Sequence, residues 1–206
     1  MTSNKNISPL IGGNYYHIYN RGINGQNIFF RVKNYDYFLG LWKKYLVDCA
    51  EVLAYCLMPN HFHFVIKIFD HVQINSKTDD YEVIEDENKV GEYVSERLRR
   101  LFISYSQALN VQEKRNGSLF TRNFKRIELE EDTHLKYLIF YIHNNAQKHG
   151  LIADFRNYRY SSYNAYISGK PTSVSISHGL ELFDGLEGFM NFHTYYHEER
   201  NNLIFE

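Results

Sequence analysis

The hydrophobic and polar positions along the chain switch between a period of two and a period near 3.6 in a regular order. "NYYHIYNRG", Asn14 to Gly22, sets Tyr15, His17 and Tyr19 on one side and Tyr16 and Ile18 on the other, which predicts a strand ended by Gly22 and Gly25. Phe38, Leu41, Trp42, Tyr45 and Leu46 fall at helical spacing within Asn34 to Cys49, behind a cap at Asn34 or Asp36. "EVLAYCLM" and "HFHFVIKI", parted by Pro59-Asn60, predict two strands joined by a tight connection. The acidic stretch from His71 to Glu92 has few large apolar residues and reads as a loop leading into a helix. Helical spacing returns from Tyr93 to Asn110 through Val94, Leu98, Leu101, Phe102, Tyr105 and Leu109. Gly117 to Leu129 reads as extended, and Glu131 to Gly150 as a helix with acids at its start and a glycine at its end. The order β-α-β-β-α-β-α suits an α+β sandwich, with helices on one face of an antiparallel sheet. From Leu151 onward the chain is rich in Phe and Tyr, and the segment 169–206 reads as an extension packing on the domain formed by 1–168. There is no internal repeat.

The composition sets bounds on this picture. At 206 residues, 44% of them hydrophobic, the chain supports one domain with a sizeable core. No apolar run approaches the length of a membrane span, and the first twenty residues lack the pattern of a signal peptide, so a cytoplasmic protein is expected. Cys49 and Cys56 sit in apolar neighbourhoods at no metal or redox spacing and read as buried thiols. The net charge is only −1, but it is unevenly spread. From Asp70 to Glu92 eight acids face two bases, and from Tyr93 to Arg126 eight bases face two acids. A basic run of this kind is the footprint of polyanion binding, masked in the total by its acidic neighbour.

Against this background "CLMPNHFHFVIKI", Cys56 to Ile68, stands out. A core strand gains nothing from imidazoles, and a buried one without a partner costs on the order of 1 to 3 kcal/mol. Two residues apart on a strand, His61 and His63 face one way while Phe62 and Phe64 face the core. Two imidazoles with open positions hold a divalent cation, which on a phosphate oxygen stabilises the charge of phosphoryl transfer. A third ligand, preferably an oxygen, is needed. On the helix from Glu131, Tyr137, Tyr141, Asn145 and then Lys148 or His149 share a stripe, so a tyrosine and an asparagine one turn apart project together. A tyrosinate that attacks a phosphodiester forms a phosphotyrosine, conserving the bond for rejoining. The two histidines of "FHTYYHEE" in the tail form at most a weak metal site.

"MPNHFHFVIK", followed about eighty residues later by "YIHNNAQKHGL", resembles the HUH single-tyrosine transposases, in particular the REP-associated tyrosine transposase branch. "YHIYNRGINGQNIFF", "GSLFTRNFKRI" and "YRYSSYNAY" match in the same order, so the resemblance runs from about Tyr15 to Tyr166. It implies a ferredoxin-like α+β sandwich. It further implies that His61 and His63 bind Mg²⁺ or Mn²⁺, that Asn145 is the third ligand, and that Tyr141 is the nucleophile. The reaction implied is cleavage of single-stranded DNA at hairpin-containing sequences, with the 5′ phosphate held on the tyrosine and a 3′ hydroxyl released. The family carries Pro after the helix asparagine, where this chain has Ala146. Asn144 is a rival ligand, but Asn145 lies one full turn from Tyr141. Phosphate contacts are expected first from Arg122, Lys125 and Arg126, then from Arg97, Arg99 and Arg100, with Arg21 and Lys148 near the chemistry and Phe120 or Phe124 stacking an unpaired base. Both homodimers and monomers occur among such transposases. The alternative class is a hairpin-binding protein that kept the fold without catalysis. A small zinc hydrolase lacks a recognisable third ligand.

Overall fold

The structure is a computed structural model that describes residues 8–75, 81–130 and 133–204. Strand β1 (Tyr15–Arg21) is followed by helix α1 (Val32–Leu46), strands β2 (Ala50–Met58) and β3 (His61–Ile68), and a hairpin of β4 (Val72–Asn75) and β5 (Tyr81–Ile84). Then come α2 (Glu87–Gln112), β6 (Lys125–Leu129), α3 (Thr133–Lys148), α4 (Tyr163–Ser168), α5 (Ile176–Glu181) and α6 (Leu186–Ile204). The main sheet has the order β2-β3-β1-β6, and every neighbouring pair is antiparallel. This is the ferredoxin-like α+β arrangement, in which each strand-helix-strand unit leaves room for a strand of the other between its own two.

Alternation decides what each strand does with its two faces. Tyr16 and Ile18 of β1 and Phe62, Phe64 and Ile66 of β3 point to the side where α1 and α2 lie, packing with Phe38, Trp42, Leu98 and Tyr105. Trp42 stacks flat on Phe64 with ring centroids 3.6 Å apart. Helices α1 and α2 start where a side chain satisfies backbone amides that would otherwise be free. The Asn34 carbonyl oxygen accepts from the Phe30 and Arg31 amides ahead of α1, and the Asp86 carboxylate accepts from the Lys89 amide at the head of α2. Gly91 is required where α2 crosses the N-terminal segment: a Cβ there would lie 1.7 Å from the Leu10 carbonyl oxygen.

The expectation of helices on one face holds for α1 and α2 alone. The opposite face is covered by α3, α4 and α6, because Leu53, Ala54, Cys56 and Val65 are as apolar as their neighbours across the sheet and need a second layer. Leu135, Ile139, Ile142 and Ala146 of α3 supply it, backed by Tyr163, Tyr166 and Phe189. The acidic stretch also differs from the expected loop. Val72, Ile74 and Ile84 share one face of the β4–β5 hairpin, and α2 begins six residues before Tyr93. Residues 76–80, within that stretch, lie outside the described residues. Of the extended segment from Gly117, only Lys125–Leu129 forms sheet strand.

A chain of hydrogen bonds ties the tail to α3. Ser162 accepts from the Tyr55 amide at 2.8 Å, its hydroxyl lies 2.8 Å from Nε2 of His143, Nδ1 of His143 lies 2.9 Å from Nε2 of His193, and Nδ1 of His193 lies 2.8 Å from the Phe189 carbonyl oxygen. A carbonyl only accepts, so the proton order is set along the line: His193 donates to Phe189, His143 to His193, and Ser162 to His143. His193 of "FHTYYHEE" is thus committed to this chain, and His197 faces Gln147. Both cysteines are buried and free.

Candidate functional site

The alternation that puts Phe62 and Phe64 in the core puts His61 and His63 on the α3 side of the sheet. There they meet β1: Tyr19 is the cross-strand partner of His63, and Arg21 that of His61. Tyr19 stacks on His63 and on His17, at centroid distances of 5.6 and 4.6 Å. Nδ1 of His63 lies 2.9 Å from Nε2 of His17, so its own Nε2 is left for another partner. Nδ1 of His61 lies 2.6 Å from Oδ1 of Asn60, an acceptor, so Nδ1 carries the proton and Nε2 keeps its lone pair. The two histidines line a cleft of about 630 Å³ with Tyr19, Arg21, Lys125 and His149.

The imidazoles of this cluster are held neutral. Burial brings His17 down to about 4. Burial, then the neighbouring His149 and Arg21, brings His61 to about 4. Burial, then His17, His61, His149 and the Lys148 ammonium, holds His63 well below the usual histidine range. At neutral pH they are lone-pair donors, the form in which histidine binds a metal.

Helix α3 closes the site from the other side. Its last turn brings the His149 ring to 4.9 Å from that of His61, and Lys148 close enough to His63 to depress it. Nζ of Lys148 donates to the Tyr141 hydroxyl across 3.2 Å, placing the half-buried Tyr141 beside the same ammonium that faces His63. The turn between them holds Asn145. Its side-chain amide is fully buried, yet neither Oδ1 nor Nδ2 has a hydrogen-bond partner among the described residues; Oδ1 of Asn144 lacks one too. The next residue, Ala146, meets the thiol of Cys56 through its backbone, and Cys56 is the cross-strand partner of His63.

Among the described residues no group of three or more His, Cys, Asp or Glu could hold a metal ion, so any third ligand to His61 and His63 must be of another kind. An unpartnered buried amide on the facing helix suits that need, and the donor set of two neutral imidazoles and an amide oxygen fits a divalent cation.

The basic residues divide between the two faces. Arg21 and Lys125 line the cleft, Lys148 adjoins it, and Arg122 is exposed in the turn before β6. Arg97 instead lies on the α1–α2 side, paired with Asp48 at 2.6 Å and bonded to the Tyr45 carbonyl. Arg99 and Arg100 share Glu96. Arg126 alternates away from Lys125, binds the Ser8 carbonyl and lies over Phe124. Phe120 is buried against Phe62, Phe102 and Tyr105, so its ring is committed to the core, while Phe124 is partly exposed. His17, Tyr19 and Asn60 are site residues that sequence reasoning does not single out, whereas His149 shares the Tyr141–Asn145 stripe as the alternative to Lys148. His17 and Tyr19 had a signal, since they share the face of a period-two strand, but their contact with His63 depends on which strand β1 pairs with.

No protein-family model and no curated protein sequence matches the chain. Among solved structures, that of a REP-associated tyrosine transposase bound to a REP hairpin aligns over 80% of this chain and 87% of its own, at 15% identity and a TM-score of 0.59. The two proteins share a fold. Among the described residues, no helix is long and apolar enough to cross a membrane.

Proposed function

We propose that this chain is a transposase-type enzyme that cleaves and rejoins single-stranded DNA at hairpin-containing sequences, with Tyr141 as nucleophile. The observation that carries the reading is Lys148, whose ammonium bonds the Tyr141 hydroxyl and lies close enough to His63 to depress it, on the helix that also holds the unpartnered Asn145 amide. The fold shared with a transposase that binds a hairpin supports it.

In this reading the Tyr141 oxygen attacks the phosphorus of a phosphodiester and the bond to the 3′ oxygen breaks. The phenolic proton is lost, the departing 3′ oxygen gains one, and the 5′ phosphate remains on Tyr141. Lys148, whose ammonium donates to the phenol oxygen across 3.2 Å, orients that oxygen for attack. Mg²⁺ or Mn²⁺ held by His61, His63 and Asn145 would supply Lewis-acid stabilisation of the charge that develops on the phosphoryl oxygens. Arg21, Arg122 and Lys125 hold the strand by its phosphates. Attack of a second 3′ hydroxyl on the phosphotyrosine reverses the chemistry and joins the new ends. All these groups belong to one chain, and the reading needs no second copy.

The test is a denaturing gel of the purified chain mixed with Mg²⁺ and a single-stranded hairpin from the DNA flanking its own gene. A covalent adduct absent in Tyr141→Phe, and lost with retained hairpin binding in His61→Ala/His63→Ala, is expected. Hairpin binding with no adduct would leave a binding module in place of an enzyme.

A further inference from the structure

A second cavity, of about 810 Å³, opens between α2 and the segment leading into β6. Its floor is aromatic: Phe102 lies 5.5 Å from Phe120 and 5.3 Å from Phe124, centroid to centroid. Its polar wall includes Ser106, Gln107 and Asn110. The Asn110 amide nitrogen donates to the Gly117 carbonyl at 3.0 Å, while its Oδ1 is buried without a hydrogen-bond partner among the described residues. The charges around this cavity are already engaged. Glu96 is matched by Arg99 and Arg100, Arg126 binds the Ser8 carbonyl, and only Glu92 adds an acid at the rim. A flat, neutral ring that carries an N–H donor fits such a space, whereas a phosphate does not.

The cavity adjoins the histidine cleft. Asn20 and Thr121 line both, joined by a 2.6 Å hydrogen bond from the Thr121 hydroxyl to the Asn20 carbonyl oxygen. A strand whose phosphate lies at His61 and His63 therefore has a neighbouring opening into which a nucleotide can turn its base. Resting on the function proposed above, we propose that this cavity is a nucleobase pocket. It receives one unpaired base of the bound DNA against Phe102 and Phe124, with an amino or ring N–H of the base donating to Oδ1 of Asn110. Stacking on such a floor binds a base with little sequence preference, and the Asn110 acceptor then selects by edge.

The experiment measures anisotropy of the fluorescein-labelled hairpin with single-stranded flanks, replacing one flanking nucleotide at a time by an abasic site. The unaltered chain is compared with Phe124→Leu, which keeps the apolar packing on Phe102 and removes the ring. At one flanking position, loss of the base should weaken binding to the unaltered chain by roughly tenfold and to Phe124→Leu by less than about threefold. Phe124→Trp should restore the full effect. Equal losses in the unaltered chain and in Phe124→Leu at every position would overturn the pocket while leaving the cleft reading intact. Failure of the unaltered chain to bind the hairpin at low salt would overturn both.

Discussion

The Ser162–His143–His193 chain makes the fold acid-sensitive by an amount that follows from its proton order. His193 is 1% exposed and His143 fully buried. Both rings are neutral, and each hydrogen bond in the line is used in one direction. Burial brings His193 from an ordinary 6.5 down to about 4, and burial plus the neighbouring His193 holds His143 well below its usual range. The sign is fixed by which state takes the proton first. As pH falls below 6.5, the unfolded chain protonates its histidines while the folded chain does not, so stability is full above 6.5 and drains away down to about 4. Each pH unit in that window removes about 1.4 kcal/mol per histidine, so His193 alone accounts for about 2 kcal/mol by pH 5 and about 3 kcal/mol in all. His143 adds a loss of the same sign. Domains of this kind are typically stable by about 5 to 15 kcal/mol, so a decline of several kcal/mol is large. Urea unfolding followed by circular dichroism at pH 7.5, 6 and 5 reads it directly. His193→Leu should be less stable at pH 7.5 by about 1 to 3 kcal/mol, because Nδ1–H of His143 loses its acceptor, yet its stability should fall less steeply with acid by about 1.4 kcal/mol per pH unit. An unchanged slope in that variant, or equal stability of the parent chain at pH 7.5 and 5, would refute the reasoning.

Asn145→Leu removes a buried amide whose two polar atoms have no hydrogen-bond partner, so the metal-free protein should be as stable as the parent or slightly more so. Mn²⁺ should raise the melting temperature of the parent chain and leave that of Asn145→Leu nearly unmoved; an equal rise in both would remove Asn145 from the ligand set. Lys148→Met deletes the ammonium bonded to Tyr141 and should slow adduct formation by about 10²-fold or more, with hairpin affinity reduced only modestly. Single-turnover rates matched to the parent would show that Lys148 does not assist the phenol. If Arg122 and Lys125 contact phosphates, each change to Ala should lower the slope of log affinity against log salt by somewhat under one, whereas Arg97→Ala, whose guanidinium is held by Asp48, should leave the slope alone. The opposite ranking would move the DNA to the α1–α2 face.

The sheet strands and long helices were legible because each buries one strongly apolar face, and a period of two or 3.6 survives in the residue order. The β4–β5 hairpin was not, because its acids obscure the alternation that puts Val72, Ile74 and Ile84 on one face. The second helical layer was hidden for a related reason: β2 is apolar on both sides, and periodicity alone does not reveal what covers a doubly buried strand. The site was legible in its covalent neighbourhood and not beyond it. His61 and His63 share a strand, and Tyr141, Asn145 and Lys148 share a helix, so spacing groups them. His17 reaches His63 only because β1 pairs with β3, and His149 reaches His61 only because the end of α3 returns to that strand. The basic run divides between the two faces for the same reason. Arg97 to Arg100 and Arg122 to Arg126 are close in sequence, but α2 and the alternation of β6 direct Arg97 and Arg126 away from the cleft that Lys125 lines.

Histidines are tolerated in the apolar strand β3 because the sheet supplies their partners. Tyr19 stacks on one ring face of His63, His17 takes one ring nitrogen, and Asn60 takes one of His61, so each imidazole keeps a single nitrogen for the cleft. The helix that completes the site is held by the reverse side of the same few residues. His143 stands between Tyr141 and Asn145, two positions from each, which on a helix points it to the far side. There it is bonded to Ser162 and His193, and Ser162 in turn to the backbone of β2. The rotation of α3 about its axis, and hence the direction in which its Tyr141–Asn145 stripe faces, is therefore set by a bond line that runs through the C-terminal segment. Protonating that line in acid loosens the helix at its middle, so adduct formation should fail on acidification together with the anchoring of α3, even though the cleft histidines belong to a different hydrogen-bonded group.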